Sequence, residues 1–307
     1  MQINGFFGPL YAPYSKVLIS SSKNFKNIVF KDLAELSELD PFDFDCIFLI
    51  AMDYRNFIQQ IQQQFHSSKT FNNFMKIKKR KLILCDSIKT FWQQFVRDYG
   101  NFFTEIYSID MPFNDYYITE SFRNHKSIYG IPLLDRYHNT AIDIREMKLL
   151  SFAGTIDIYP ERLEFLEELE NKGIKIHYLH NLHLKNRYDE ISFEEYMDFQ
   201  LKSIFAINFP TIPARQGAFN HIKGRYWECL ATGTKIIEKY NPLIRNIPIQ
   251  FEIFNYSQID DIRKLMDVKW DLEQILEEKR EKILKYDHYF IPRNFFEQFD
   301  IELIENC

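Results

Sequence analysis

Four cations and one carboxylate fall close together in the last third of the chain: Arg215, His221, Lys223 and Arg225, with Glu228 one helical turn further on. Guanidinium and ammonium groups suit a phosphate, and a carboxylate suits a pair of vicinal hydroxyls, because it accepts from both through its two oxygens. The combination suggests a nucleotide sugar. The elements around these residues would have to hold them at one edge of a sheet. An apolar run over 203–209 reads as a short buried strand, a basic loop broken by Pro210 and Pro213 follows, and 224–232 reads as a helix closed by Gly233. Glycine after a helix accepts the left-handed conformation without a Cβ clash. The next strand begins at Thr234, so the segment is a βαβ unit, and ligands in such sheets bind beyond the carboxyl ends of the strands.

A second set of residues has the same placement. The run 149–155 reads as a strand ending in a small-residue turn, and Pro160 opens a helix that Gly173 closes. Gly154 and Thr155 lie between strand and helix, where backbone N–H groups can approach a phosphate, and Arg162 in the first turns of the helix could reach the same anion. His177, His180 and His183 share a three-residue spacing, but the segment reads as a strand and its extension, which throws the rings in different directions. No metal is expected there; His180, at the strand end, is the one placed to contact a ligand. In the first half Asp53, Asp86 and Asp110 each follow an expected strand end. Each is placed to serve as general base toward a hydroxyl acceptor, and each equally suits a helix N-cap. The pair Asp43 and Asp45 precedes a buried strand instead of following one, so it reads as a turn and not as a metal site.

The first half alternates strands and helices. Runs over 45–51 and 81–85 are continuously apolar, as in the middle of a parallel sheet, and helices over 54–65 and 87–99 follow them. Further strands are expected over 1–8 (an edge or opening strand), 16–20, 27–30, 105–109 and 115–118. In the second half 174–178, 234–237 and 251–254 read as strands and 257–266 and 271–286 as helices. Ser192 and Glu195 form a capping box that starts another helix. The fold class is therefore α/β with parallel sheets, divided into a first domain over 1–146, a second over 147–287 and an aromatic tail over 288–307 that packs on the first domain or on a partner.

Composition bounds the rest. At 307 residues the chain fits two domains, and with 46% hydrophobic residues both can bury a core. A net charge of -5 argues against a general nucleic-acid binder, and no specific nucleic acid is expected. The one dense basic run, 76–81, suits the solvated end of a helix, with peripheral contact to an anionic membrane as the alternative. Neither a membrane span nor a secretion signal is evident, and the four scattered cysteines read as free thiols, so a cytoplasmic location is expected.

Over 149–285 the sequence resembles the C-terminal half of GT-B glycosyltransferases, most closely the group-1-like, spore-maturation (CgeB-like) type. The likeness is carried by Phe152-Ala-Gly-Thr155, Arg162, Leu166, Gly173-Ile-Lys-Ile176, Phe193-Glu-Glu-Tyr196, the stretch from Gly224 through Arg225 and Glu228 to Gly233, and the segment 256–262. The resemblance implies two Rossmann-like domains facing a cleft, with a nucleoside-diphosphate sugar held by the second and a glycan or other hydroxyl acceptor by the first. It implies that Glu228 binds the ribose hydroxyls, that Lys223 and Arg225 lie near the diphosphate, and that Gly154, Thr155 and Arg162 border the donor pocket, with no obligatory metal or other cofactor. Many retaining members carry a further Glu eight residues before the ribose-binding one; this chain has Asn220 there, facing the donor sugar, which leaves the sugar and the stereochemical outcome open. A GT-B epimerase or phosphorylase, or a non-catalytic nucleotide- or glycan-binding protein, are the alternatives.

Overall fold

The computed structural model describes the chain apart from residues 1–2, 11–12, 52–53, 86–89, 110–123, 155, 157–158, 180–190, 215–216, 221–223, 248 and 307. Its contacts divide it into two units, one formed by Met1–Leu134 with Ile291–Cys307 and the other by Asp135–Phe290.

The first unit is built on a six-stranded parallel sheet. Its strands are β1 (Asn4–Phe7), β2 (Ile28–Lys31), β3 (Cys46–Ala51), β4 (Lys79–Leu84), β5 (Glu105–Ser108) and β6 (His125–Ser127), in the order β2-β1-β3-β4-β5-β6. Its helices are α1 (Pro13–Ser22), α2 (Tyr54–His66), α3 (Ser68–Lys76) and α4 (Thr90–Tyr99). All six residues of β3 are buried, and they alternate between two cores with the period of a strand. Ile47, Leu49 and Ala51 join Phe57, Ile61, Phe74 and Phe95 from the helices, whereas Cys46, Phe48 and Ile50 join Phe6, Leu18, Ile83 and Tyr107.

Three expectations change here. The opening strand β1 lies inside the sheet between β2 and β3 and is buried throughout, since Phe6 and Phe7 point to opposite cores. Residues 16–20 belong to α1: Val17 and Leu18 are buried on a helix, and a short apolar run does not by itself separate strand from buried helix. The basic run 76–81 is the solvated end of a helix only in part: Lys76 closes α3 and is exposed, as are Lys78 and Lys79, whereas Arg80 and Lys81 turn inward. Arg80 donates from Nε to the Phe102 carbonyl at 2.7 Å and from Nη1 to the Met75 carbonyl at 3.2 Å. Lys81 is 2% exposed and lies 2.9 Å from Glu105 Oε2. The expected strand over 115–118 lies outside the described residues.

The second unit carries a five-stranded parallel sheet of β7 (Lys148–Phe152), β8 (His177–Tyr178), β9 (Ser203–Ile207), β12 (Lys235–Glu238) and β13 (Ile253–Asn255), in the order β13-β12-β9-β7-β8. Between β9 and β12 the chain makes an antiparallel hairpin, β10 (Thr211–Ala214) with β11 (Gly217–Asn220), where the sequence reads only as a loop. The helices are α5 (Pro160–Asn171), α6 (Phe193–Leu201), α7 (Gly224–Thr232), α8 (Ile259–Met266) and α9 (Leu272–Tyr286). Gly173 (φ 79°) and Gly233 (φ 65°) take the left-handed conformation that ends α5 and α7. The N-cap of α8 is Gln258, one residue past Ser257, because Asp261 accepts from the backbone N–H of both. The division falls after Leu134 and not at 146/147: Tyr137, Ile142, Ile144 and Met147 pack with Leu201, Leu276 and Ile283 of the second unit.

The last helix, α10 (Pro292–Glu297), returns to the first unit. Phe295, Phe296 and Phe299 are fully buried, and the Phe299 ring meets Phe48 edge to face at 5.5 Å. Among the described residues no helix is long and apolar enough to cross a membrane.

Candidate functional site

In the second sheet β7 has β8 on one side and β9 on the other. The connection leaving β7 passes through α5 to β8, and the one leaving β9 passes through α7 to β12, so the strand order reverses between β7 and β9. A crevice forms outside the carboxyl ends of the strands at such a point. Gly154 lies just past the end of β7, exposed, and α7 begins after the hairpin that follows β9.

Two of the residues singled out in the sequence, Arg225 and Glu228, meet Gly154 here. They are one turn apart on α7, with Arg225 Nε 3.3 Å from Glu228 Oε2 and their side chains 14% and 20% exposed. Arg225 Nη2 donates to the carbonyl oxygen of Ala153, which ties the first turn of α7 to the end of β7. A Cβ built on Gly154 would stand 3.1 Å from Phe152 Cζ and 3.8 Å from Arg225 Nη2, so a side chain there would press on both. The guanidinium also lies 5.4 Å from the centre of the Tyr196 ring. Tyr196, on α6, donates its hydroxyl to Glu228 Oε2. Burial first, and the Glu228 charge and hydrogen bond with it, hold the Tyr196 hydroxyl well above its ordinary titration range despite the opposing Arg225 charge, so it remains a donor.

Arg162 is in the first turn of α5, 8% exposed, its guanidinium 3.8 Å from the Tyr159 ring centre and 5.4 Å from that of Phe209. Those rings fix it between the loop after β7 and the loop after β9. Asn220 is the last residue of β11, paired with Thr211 across the hairpin. Thr155, His180, Arg215, His221 and Lys223 lie outside the described residues, as do Asp53, Asp86 and Asp110. Of the histidine series, His183 is also outside them, and His177 is half-buried in β8, its pKa lowered by burial and by Lys175 and Lys148. Asp43 and Asp45 precede β3, at the sheet edge opposite the carboxyl ends, and the Asp45 N–H donates to the Ile3 carbonyl. Among the described residues no group of three or more His, Cys, Asp and Glu is arranged to hold a metal ion.

Two contacts of this edge could not be read from local spacing. Tyr196 reaches Glu228 across 32 positions, and no local spacing joins them. Beneath the loops lies the fully buried carboxylate of Glu238, the last residue of β12. Its Oε2 accepts from Asn208 Nδ2 at 2.6 Å and from the Tyr226 hydroxyl at 2.6 Å, and Asn241 Nδ2 donates to that hydroxyl at 3.0 Å. The network joins the ends of β9 and β12 to α7, and hydrogen bonds to a buried carboxylate are strong in so low a dielectric.

No family model matches the sequence, and no curated protein does. Solved structures do share its fold. An alpha-glucosyltransferase in complex with UDP-glucose and DNA containing an abasic site is 13% identical, with 98% of each chain covered and a TM-score of 0.60. A structure of alpha-glucosyltransferase (AGT) in complex with UDP is 14% identical over 98% of this chain and 99% of that one, with a TM-score of 0.57. The apo structure of OtsA is 8% identical over 99% of this chain and all of that one, at 0.53. At these identities the likeness is one of fold, the two-domain GT-B arrangement of Rossmann-like units.

Proposed function

We propose that this chain is a glycosyltransferase that moves a sugar from a nucleoside-diphosphate sugar to a hydroxyl acceptor. The observation that carries the reading is the pairing of Arg225 and Glu228 beside Gly154 at the point where the strand order of the second sheet reverses. Glu228 would accept from the ribose hydroxyls. The backbone past Gly154 and the cations Arg215, Lys223 and Arg225 would face the diphosphate, whose departure leaves negative charge that fixed donors and cations stabilise. These cations supply the charge compensation that a metal provides elsewhere, so the reaction is proposed to proceed without an obligatory metal or other cofactor. An acceptor bound by the first unit would lose its proton to Asp53 or Asp86, which follow the central strands β3 and β4 in sequence. The GT-B neighbours support the class: the alpha-glucosyltransferase was solved with UDP-glucose. The likeness to the spore-maturation type belongs to the same proposal, with a glycan, a lipid-linked group or a small molecule as acceptor at a cytoplasmic or membrane-peripheral location.

A thermal-shift screen of UDP, GDP, ADP, CDP and dTDP and their common sugars, on wild type and Glu228→Ala, tests it. A nucleotide at a hundred times its dissociation constant adds about 2.7 kcal/mol of stability. The expected result is a shift with one base that Glu228→Ala abolishes, followed by sugar transfer that persists in a chelator. A folded protein that responds to none of the nucleotides refutes the donor assignment.

A further inference from the structure

The two oxygens of Glu228 do not have the same surroundings. The Tyr196 hydroxyl and Arg225 Nε both approach Oε2. Gln200 Nε2 lies 3.4 Å from the Tyr196 oxygen and donates to it, and Gln200 is fully buried at the end of α6. A hydroxyl that accepts from an amide directs its own proton elsewhere, here to Glu228. The other oxygen, Oε1, lies over Gly224: a Cβ built on that glycine would stand 3.2 Å away, closer than carbon and oxygen ordinarily approach. Gly224 opens α7, with a φ outside the left-handed region, so its backbone conformation does not require glycine. The space above it does.

We infer that Tyr196 is a positioning residue that, with Arg225, engages Oε2 and thereby presents Oε1 over the bare backbone of Gly224 to accept a ribose hydroxyl. This rests on the donor-site reading above and adds to it which oxygen meets the sugar, which side chain aims it and why residue 224 lacks one. A carboxylate whose one oxygen is already hydrogen-bonded has lost its rotational freedom before the ligand arrives, which lowers the cost of ordering it on binding. The specificity that follows is for a ribonucleotide over one without ribose hydroxyls, because a half-buried carboxylate covered by a ligand that lacks the donor loses its partner.

The test is calorimetric titration of wild type, Tyr196→Phe, Gly224→Ala and Glu228→Gln with UDP, GDP, ADP and CDP, then with the 2′,3′-dideoxy counterpart of the best binder. Wild type is expected to prefer the ribonucleotide. Tyr196→Phe and Gly224→Ala should each weaken the ribonucleotide about tenfold, the scale of one hydrogen bond to a charged group, and leave the dideoxy nucleotide unchanged. Gly224→Ala should do so with an unchanged or higher melting temperature, since alanine is the better helix former, so its loss of binding would not reflect unfolding. If both variants keep the wild-type preference while Glu228→Gln loses it, the positioning role is wrong and the donor site stands. If wild type and Glu228→Gln bind ribo- and dideoxynucleotides alike, the donor reading fails and this inference with it.

Discussion

Lys279 gives the most quantitative test of the second unit. It lies on α9, 1% exposed, and its Nζ donates to the Ser203 carbonyl at 2.7 Å and to Thr234 Oγ1 at 3.0 Å. Burial, with the nearby charges of Lys282 and Lys235 adding to it, pushes its pKa down to about 7. In the unfolded chain a lysine titrates near about 10.4. Between those values the unfolded state binds a proton that the folded state does not, so stability rises with pH across that window and the full penalty of the buried cation is felt below it. A slope of about 1.4 kcal/mol per pH unit over this interval amounts to roughly 4–5 kcal/mol. Lys279→Met removes the titration. The Thr234 hydroxyl, with its single proton, lies 2.6 Å from Gln200 O and 3.2 Å from Ser203 O, so the substitution costs one buried hydrogen bond, less than the penalty it removes at low pH. Urea unfolding from pH 6.5 to 9.5, in a Trp92→Phe background so that Trp227 and Trp270 report the second unit alone, would measure both stability curves. The variant should match or exceed wild type at pH 6.5 and fall behind as pH rises. Parallel curves would refute the assignment of a neutralised buried lysine.

Two further substitutions probe the packing that positions the sites. Gly233→Ala should destabilise the second unit by roughly 2–4 kcal/mol in the same assay, because the left-handed backbone disfavours a side chain and a Cβ there would meet the Lys279 carbonyl oxygen at 2.8 Å. A cost below 1 kcal/mol by that measure, on the scale of an ordinary surface change, would mean that α7 and α9 are not held against each other at this point. Phe299→Ala should cost the first unit about 3–5 kcal/mol, since the ring is fully buried against Phe6, Phe48 and Tyr107. Hydrogen exchange should accelerate in peptides from β1 and β3 and stay unchanged in those from β9 and β12; uniform acceleration would contradict the division into two units.

The central strands were legible because a strand covered on both faces must be apolar where it is buried, and β3, β9 and the second half of β4, Leu82 to Leu84, are nearly so. Pro160, Gly173 and Gly233 marked helix ends through backbone chemistry that does not depend on the rest of the fold. What failed were segments whose state is set by distant contacts. Residues 16–20 became helix, and the hairpin between β9 and α7 is an insertion with no apolar period of its own. In the candidate site the pairing of Arg225 with Glu228 was legible from residue type and spacing, whereas the hydrogen bond from Tyr196 to Glu228 depends on the packing of α6 on α7.

The buried lysines are a different case, because the sequence carries their signal. Lys279 falls four residues after Ile275 and four before Ile283, on the apolar stripe of α9, and Lys81 falls two residues before Ile83 on one face of β4. At either position periodicity says buried and charge says exposed, and in the structure the periodicity prevails. Each side-chain amino group reaches a main-chain carbonyl, Ser203 O for Lys279 and Phe299 O for Lys81, and long aliphatic stems let a lysine follow an apolar face to such an acceptor. Their placement also separates stability from chemistry. Ser203 begins β9 and Thr234 immediately precedes β12, while Lys81 pairs with Glu105, the first residue of β5. Both clusters therefore sit at the amino ends of their own sheets, which in the second unit is the end opposite the edge that carries Gly154, Arg225 and Glu228. A lysine there closes its sheet against a helix or the returning tail and stays out of reach of a ligand at that sheet's carboxyl end.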